Sequence, residues 1–237
     1  MRNPLLAVLL LSVAPAAMAD DVEINCVSCE DQFQAMAVDL VATIDYKAAG
    51  PNEANGLSGF AIGLVTTYVP VDKQDWAAVT GSNDFSGIGL VGLQVTKGLP
   101  FGIDLGVFYA TAPGANVDAI GGEIRYAFLK GGAATPAVAL RLSHVVVSGI
   151  DDFDLDSTSV DVSVSKGFAI FTPYAGVGYV NGAADPSAAV TTATGVDKSE
   201  VKETKLFLGF RLGFGLVEIT PQFTQGGDGT SYGRPPG

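Results

Sequence analysis

The sequence is poor in the residues that metal sites and membrane-spanning helices require. It has one histidine and two cysteines among 237 residues, and only 16% of its residues are charged. After the apolar run that ends at Val13, no segment approaches the roughly 20 uninterrupted apolar residues of a membrane helix. If the chain crosses a membrane, it must therefore do so as strands. We expect no metal, no cofactor and no enzymatic activity.

Basic residues are also few. The 13 lysines and arginines are outnumbered by 25 acidic residues, which gives a formal net charge of -12. Because the basic residues are scattered along the sequence, the composition argues against nucleic acid or anionic lipid as a partner. The 30 glycines and a mean hydropathy of +0.35 are unusual for a soluble acidic domain and suit a sheet whose outside faces lipid.

The N-terminus has the three regions of a secretory signal peptide. Arg2 precedes the apolar run Leu5–Val13, and Ala17–Ala19 has the small residues of a cleavage site. We expect residues 1–19 to be removed and the mature protein to begin at Asp20. Export would place it in an oxidising compartment, beyond the inner membrane of a Gram-negative bacterium.

Cys26 and Cys29 follow the predicted cleavage site closely. Glu30 stands where a haem attachment site would need histidine, and a zinc site would need two further ligands. In an oxidising compartment these two cysteines are therefore disulfide candidates, closing a small N-terminal loop.

A short amphipathic helix is predicted between Asp31 and Ile44, where the apolar residues recur at helical spacing. It is too short to cross a bilayer. We expect residues 20–50 to form a periplasmic segment or a plug in the mouth of a barrel. An alternative is that Val38–Lys47 forms an extra strand.

From Leu57 onward the sequence alternates large apolar residues with small or polar ones, which is the periodicity of β-strands. The stretch Phe101–Thr111 shows this most clearly. Long and tight connections alternate between these segments, as in an up-and-down outer-membrane barrel. The predicted strands are 57–69, 86–97, 101–111, 116–129, 136–148, 154–166, 169–181, 200–213 and 215–225.

The fold class that this pattern predicts is all-β, an antiparallel up-and-down transmembrane β-barrel of about ten strands spanning residues 51–237, with a short N-terminal helix. Because short turns face the periplasm in such barrels, strand 57–69 would run outward and the helix would lie on the periplasmic side.

Strand parity divides the side chains between lipid and interior. The outward parity collects large apolar residues, and the other parity collects four acids and four bases that would form a charge network in the lumen. Such a network favours a plugged or ligand-sized lumen over an open pore. The predicted lipid-facing residues are Phe60, Ile62, Leu64, Tyr68, Ile120, Ile124, Tyr126, Phe128, Leu206, Leu208, Phe210, Leu212 and Phe214. The predicted network is Asp104, Glu123, Arg125, Arg141, Asp161, Lys205, Arg211 and Glu218.

The sequence offers few candidates for catalytic or metal-binding residues. His144 is near Ser143 and Ser148, but its parity matches apolar neighbours, so we assign it no catalytic role. The acidic run Asp151–Asp156 lacks the glycine and glutamate spacing of a calcium loop, and we interpret it as a solvated loop.

Three phrases resemble those of a family of small proteobacterial outer-membrane β-barrel proteins. They are Lys97–Gly106, Ala134–Arg141 and Ser165–Gly178, and the resemblance runs from about Asp31 to Tyr232. It implies the fold and an outer-membrane location, and it carries over no functional residues.

The resemblance also implies one more strand after Phe223, where this chain instead has two prolines near its end, so we expect a truncated last strand. The expected partners are outer-membrane lipid, lipopolysaccharide and the barrel-assembly machinery. We expect a structural role or the binding or passage of a small hydrophobic or amphipathic molecule. The alternatives are a secreted lipocalin-like binding barrel, a surface adhesion protein and an outer-membrane lipid hydrolase.

Overall fold

The computed structural model describes residues 22–45, 55–57, 59–83, 85–132, 134–214 and 217–226. The signal-peptide prediction and the predicted C-terminal truncation lie outside these residues. The described part is all-β, with three helices: α1 Glu30–Ile44, α2 Lys73–Thr80 and α3 Ala188–Thr194. The strands are β1 Phe60–Pro70, β2 Gly87–Gly98, β3 Ile103–Thr111, β4 Asp118–Lys130, β5 Ala137–Ser148, β6 Phe153–Ser165, β7 Phe171–Pro186, β8 Ser199–Phe214, β9 Val217–Ile219 and β10 Gln222–Gly226.

The strands form one antiparallel sheet in which each strand from β1 to β8 pairs with the next along the chain. The predicted all-β, up-and-down order is therefore confirmed. The sheet curls into a half-barrel rather than the closed barrel expected. Within the described residues, β1 pairs only with β2, and β10 only with β8, so no strand pairing joins the two edges of the sheet. We call the space between β1 and β10 the seam.

The last predicted strand, 215–225, is divided into β9 and β10. Both pair with β8 in one continuous register, since Ile219 is opposite Leu212 and Gln222 is opposite Gly209. The interruption falls at Pro221, which has no N–H to donate to the ladder. Its carbonyl still accepts a hydrogen bond from the amide of Phe210. The proline therefore breaks the strand without shifting its register.

Alternate residues of each strand lie on opposite faces, and the two faces differ sharply. The convex face is apolar and exposed, and it includes the predicted outward residues, with Leu212 half-buried. The concave face is buried and mixed: large apolar residues such as Ile88, Phe108 and Leu155 lie on it toward the end where α1 packs, and small, hydroxylated and charged side chains occupy much of the rest. Large apolar side chains are therefore divided between an exposed convex face and a buried core between the concave face and α1.

Helix α1 lies on the concave side and contacts β1, β2, β6, β7 and β8. Gly182 permits this approach, because a Cβ at that position would lie 2.7 Å from both methyl groups of Val41. Six apolar residues of the helix, including Phe33 and Met36, are buried to 5% exposure or less on the side facing the sheet and α2. The alternative of a strand over Val38–Lys47 is wrong for its described part, which is helical.

The chain enters this helix from one particular end of the sheet. We define the loop end by the connections β1–β2, β3–β4, β5–β6 and β7–β8, and the turn end by the others. The segment 22–29 lies at the loop end, where the amide of Asn25 donates to Val79 O (2.8 Å) and that of Ser28 to Thr194 O (3.0 Å). The sequence placed the helix beside the tight turns. The structure instead starts it among the longer connections.

The loop end is closed by packed side chains. Trp76 is completely buried and packs against Phe85, with ring centroids 4.9 Å apart and ring planes inclined by 44°, and Phe33 packs edge-on against Phe153 at 5.9 Å. The amide of Ile24 donates to Asp152 Oδ2 at 2.6 Å. Segment 22–29, α2 and α3 thus form a cap over the concave space.

Helices α2 and α3 lie in segments that the sequence reading treated as loops. Each has an N-cap side chain that accepts a backbone N–H, Asp72 from Gln74 and Ser187 from Val190. Each also ends at a glycine in the left-handed conformation, a common stop signal. None of the described helices is long and apolar enough to cross a membrane.

Candidate functional site: a buried charge row and the seam cleft

Most of the predicted network occupies one transverse row of the concave face. Strand register aligns Asp104 of β3 with Arg125 of β4, then Arg141 of β5 and Asp161 of β6, with Lys205 of β8 at the far end. All five side chains are buried. The row runs across six neighbouring strands, because β7 contributes a glycine to it.

The members of the row are joined by ion pairs. Arg125 Nη2 is 2.5 Å from Asp104 Oδ2, and its Nε donates to the same oxygen at 3.1 Å. Arg141 Nε is 2.7 Å from Oε2 of Glu123, which is also buried, and Arg141 Nη1 is 3.8 Å from Asp161 Oδ2. Because each buried charge has an opposite charge close by, the row avoids the cost of isolated ions.

Gly178 allows Asp161 and Lys205 to form the last ion pair of the row. It lies between Asp161 and Lys205 in the register, on the strand that separates them. A Cβ there would overlap Asp161 Oδ1 and would lie 2.7 Å from Lys205 Cε. Without a side chain on β7, Lys205 Nζ reaches Asp161 Oδ1 at 2.9 Å.

The row also anchors the end of α1. Lys205 Nζ donates to both carboxylate oxygens of Asp45, at 2.9 and 2.8 Å, and lies 3.4 Å from Ser159 Oγ. Asp45 is the C-cap residue of the helix and is buried. The sequence reading missed Asp45, because no pattern links it to a lysine 160 residues away.

Two residues of the predicted network lie apart from the row. Arg211 and Glu218 form their own pair at 3.3 Å, and the Glu218 side chain is 50% exposed. Arg211 Nη2 also lies 3.4 Å from Oγ1 of the buried Thr172, so this pair lies on the interior parity beside the row. They lie near the turn end, where β9 is the edge strand beside β8.

The seam contains a cavity with a volume of about 520 Å³. Its walls are residues 64–69 of β1, the last turn of α1, Val180 and Val201, and residues 218–226 of the opposite edge, apart from Gln225. The volume lies in the range of small-molecule sites. We call it the seam cleft.

The chemistry of the seam cleft is apolar with an acidic margin. Valine side chains from α1, β1, β7 and β8 line it, and Asp45, Glu203 and Glu218 supply carboxylates. The basic group in its wall, Lys205, already faces two carboxylates, Asp45 and Asp161. An amphiphile with an uncharged or cationic head would fit these walls, whereas a carboxylate head would be repelled.

Another buried carboxylate, Asp39, lies on α1 beneath the cap. Trp76 Nε1 donates to its Oδ2 at 3.0 Å. Burial raises the pKa of Asp39 to about 7; the Trp76 hydrogen bond opposes this, and the charges of Asp75, Asp72 and Glu203 add to it. The contact between α1 and α2 therefore depends on a carboxyl group that titrates near neutral pH.

The candidate catalytic residues are not brought together. His144 lies on the convex face, where its Nδ1 is 2.8 Å from Thr158 Oγ1, whereas Ser143 points to the concave face and contacts Ser159 Oγ at 2.8 Å. Cys26 and Cys29 form a disulfide within segment 22–29. Among the described residues, no group of three or more histidine, cysteine or acidic side chains could hold a metal ion.

Comparison of the chain with family models, with curated proteins and with solved structures finds no match in any of the three. The resemblance to outer-membrane barrel proteins therefore stays a prediction.

Proposed function

We propose that the protein is an integral outer-membrane protein, whose convex face contacts lipid and whose interior is held shut by α1 and the buried charge row. The observation that carries this proposal is the distribution of side chains between the two faces. Residues such as Leu64, Val107, Ile124, Val162 and Leu208 are between 43% and 84% exposed. The five charges of the row, in contrast, are buried.

An exposed apolar surface that continues across β1 to β8 and β10 needs a covering medium. Soluble monomers rarely expose contiguous apolar patches larger than a few hundred Å². The secreted lipocalin-like alternative requires large residues inside and charged residues outside. The observed convex face is instead apolar and exposed, and the charge row is buried on the concave side, which supports the membrane proposal.

The borders of the apolar face support the same proposal. Tyr68 and Tyr109 lie near its loop-end margin, and Phe128, Phe171 and Phe214 lie near its turn-end margin. All five are exposed. Aromatic girdles of this kind mark the two interfaces of membrane barrels, where their rings sit at the level of the headgroups.

Fractionation tests the proposal. The protein should sediment with outer membranes, resist extraction by urea or carbonate, and be released by detergent. Val162→Lys, in the middle of the apolar face, should reduce stability by about 2–4 kcal/mol, whereas Ser148→Lys at its polar margin should cost about 1 kcal/mol or less. Release of the wild type into buffer without detergent would refute the proposal.

A second candidate function is suggested by the seam cleft. We propose that it holds the apolar part of an uncharged or cationic amphiphile. The uncharged probe N-phenyl-1-naphthylamine should fluoresce on binding, and the anionic probe anilinonaphthalene sulfonate should bind at least tenfold more weakly. Thr67→Trp, which fills the cleft, should abolish binding, whereas Val95→Trp on the convex face of the next strand should not. Equal binding by both variants would contradict this function.

A further inference from the structure

We propose that the turn end binds the headgroups of anionic phospholipids through Lys97, Lys130 and Lys166, so that this end faces the leaflet that contains those phospholipids. The inference rests on the proposed function, because it requires the convex face to be in lipid. It also revises the expectation from the sequence that anionic lipid is not a partner. The three lysines are far apart in the sequence, but the up-and-down topology returns each of them to the same end.

Backbone carbonyls at the turn end accept hydrogen bonds from the ammonium groups of Lys166 and Lys97. Lys166 Nζ donates to the carbonyls of Gly132 and Thr135 in the β4–β5 turn, at 2.7 and 3.2 Å. Lys130 is the last residue of β4, and its Cε lies 3.4 Å from where a Cβ at Gly102, in the β2–β3 turn, would be. The Lys130 side chain therefore lies beside the β2–β3 turn and that of Lys166 over the β4–β5 turn, so the two charges belong to neighbouring turns of the same end.

Lys97 extends this basic edge around the sheet. Its Nζ donates to the carbonyls of Leu57 and Gly59, at 2.7 and 3.3 Å, near the start of β1. The side chain is exposed on the convex parity of β2. Together the three lysines occupy alternate strands of the turn end, beginning at β2.

Exposed apolar residues adjoin these lysines. Phe101, in the β2–β3 turn, is 85% exposed, and Phe168, in the β6–β7 turn, is 57% exposed. Lysines next to an apolar face extend their ammonium groups toward the interface while their methylenes stay in contact with apolar surface. A headgroup phosphate lies at the level where such ammonium groups would be.

The loop end, opposite these lysines, is rich in negative charge. The β3–β4, β5–β6 and β7–β8 connections, with the strand ends beside them, hold a concentration of aspartates at the loop end. They are Asp118, Asp151, Asp152, Asp154, Asp156 and Asp185. At the turn end, the described carboxylates are Asp104, buried against Arg125, and Glu218, beside Arg211. An anionic surface would therefore attract the turn end and repel the loop end.

Native mass spectrometry of the detergent-solubilised protein tests the inference. Dioleoylphosphatidylglycerol should bind the wild type more tightly than dioleoylphosphatidylcholine. Each substitution of Lys97, Lys130 or Lys166 by Gln should weaken phosphatidylglycerol binding roughly fivefold, the factor expected for one lysine at an anionic surface. Phosphatidylcholine binding should not change.

Two matched variants separate charge from structure. The triple substitution by Arg at Lys97, Lys130 and Lys166 should retain the preference for phosphatidylglycerol, even if the turns rearrange. Lys73→Gln combined with Lys202→Gln, at the loop end, should leave it unchanged. Equal affinity of the wild type for the two lipids, or an equal loss in the loop-end control, would overturn the inference. If neither lipid binds and the protein needs no detergent, the proposed function fails as well.

Discussion

Arg141→Met should destabilise the protein strongly, because Arg141 is the central cation of the charge row. The arginine is 3% exposed and lies 2.7 Å from a Glu123 carboxylate that is also 3% exposed. Asp161 would keep its pair with Lys205, whereas Glu123 would lose its closest cation. Removing one partner of a buried pair costs about 3–5 kcal/mol, and we expect a loss in this range.

The assay is guanidinium unfolding of the detergent-solubilised protein, followed by tryptophan emission. Trp76 is the single tryptophan of the chain and is completely buried in the cap, so its emission reports unfolding. Arg141→Met combined with Glu123→Gln should be more stable than Arg141→Met alone by about 2 kcal/mol or more, since the second substitution removes the buried Glu123 charge that has lost its partner. Arg211→Met, in the half-exposed pair with Glu218, should cost about 1 kcal/mol or less.

A small effect of Arg141→Met would refute this reasoning. If it cost no more than Arg211→Met, the row would be solvated and the interior would not be dry. If the double variant were no more stable than Arg141→Met alone, the loss would come from packing rather than from the stranded carboxylate.

Three further predictions follow from the interior contacts. Because folding raises the pKa of Asp39, the unfolded chain binds fewer protons than the folded chain between about pH 4 and 7. The free energy of unfolding should therefore fall by up to about 4 kcal/mol as the pH rises through that window. D39N should remove this part of the pH dependence of the unfolding midpoint. Gly178→Ala should cost about 1–3 kcal/mol by forcing Lys205 and Asp161 apart, measured in the same unfolding assay. Gly182→Val should push α1 away from β7 and speed hydrogen exchange in the helix, whereas Gly63→Val, where a Cβ meets no atom within 4 Å, should not.

Much of the sheet could be predicted from the sequence, because each strand carries its own period-2 pattern. The observed strand boundaries differ from the predicted ones where local backbone conformation or strand pairing overrides the period-2 pattern. Phe101 belongs to the alternation but adopts a left-handed conformation (φ 66°) in the 3₁₀ turn Pro100–Gly102, so β3 begins at Ile103. Strand β7 continues to Pro186, five residues beyond its predicted end, as pairing with β6 extends into the predicted loop.

The inward parity of the charges was also accessible from the sequence, but their partners were not. Parity gives the face of a residue, whereas pairing depends on the register between strands and on the path of the helix. Asp104 meets Arg125 through a hairpin register, and Asp45 meets Lys205 only because α1 turns into the concave space. The cap helices did leave local signals, Asp72 with Gly81 and Ser187 with Gly195, that identify them in hindsight.

The most direct test of the central claim is the position of the convex face relative to lipid. A variant that combines Trp76→Phe with Val162→Trp has its single tryptophan in the middle of that face. In vesicles of brominated phosphatidylcholine, its emission should be strongly quenched compared with unbrominated vesicles, while Trp76 of the wild type, buried in the cap, should be quenched far less. Equal, weak quenching of both tryptophans would show that the convex face is not in the bilayer and would contradict the account.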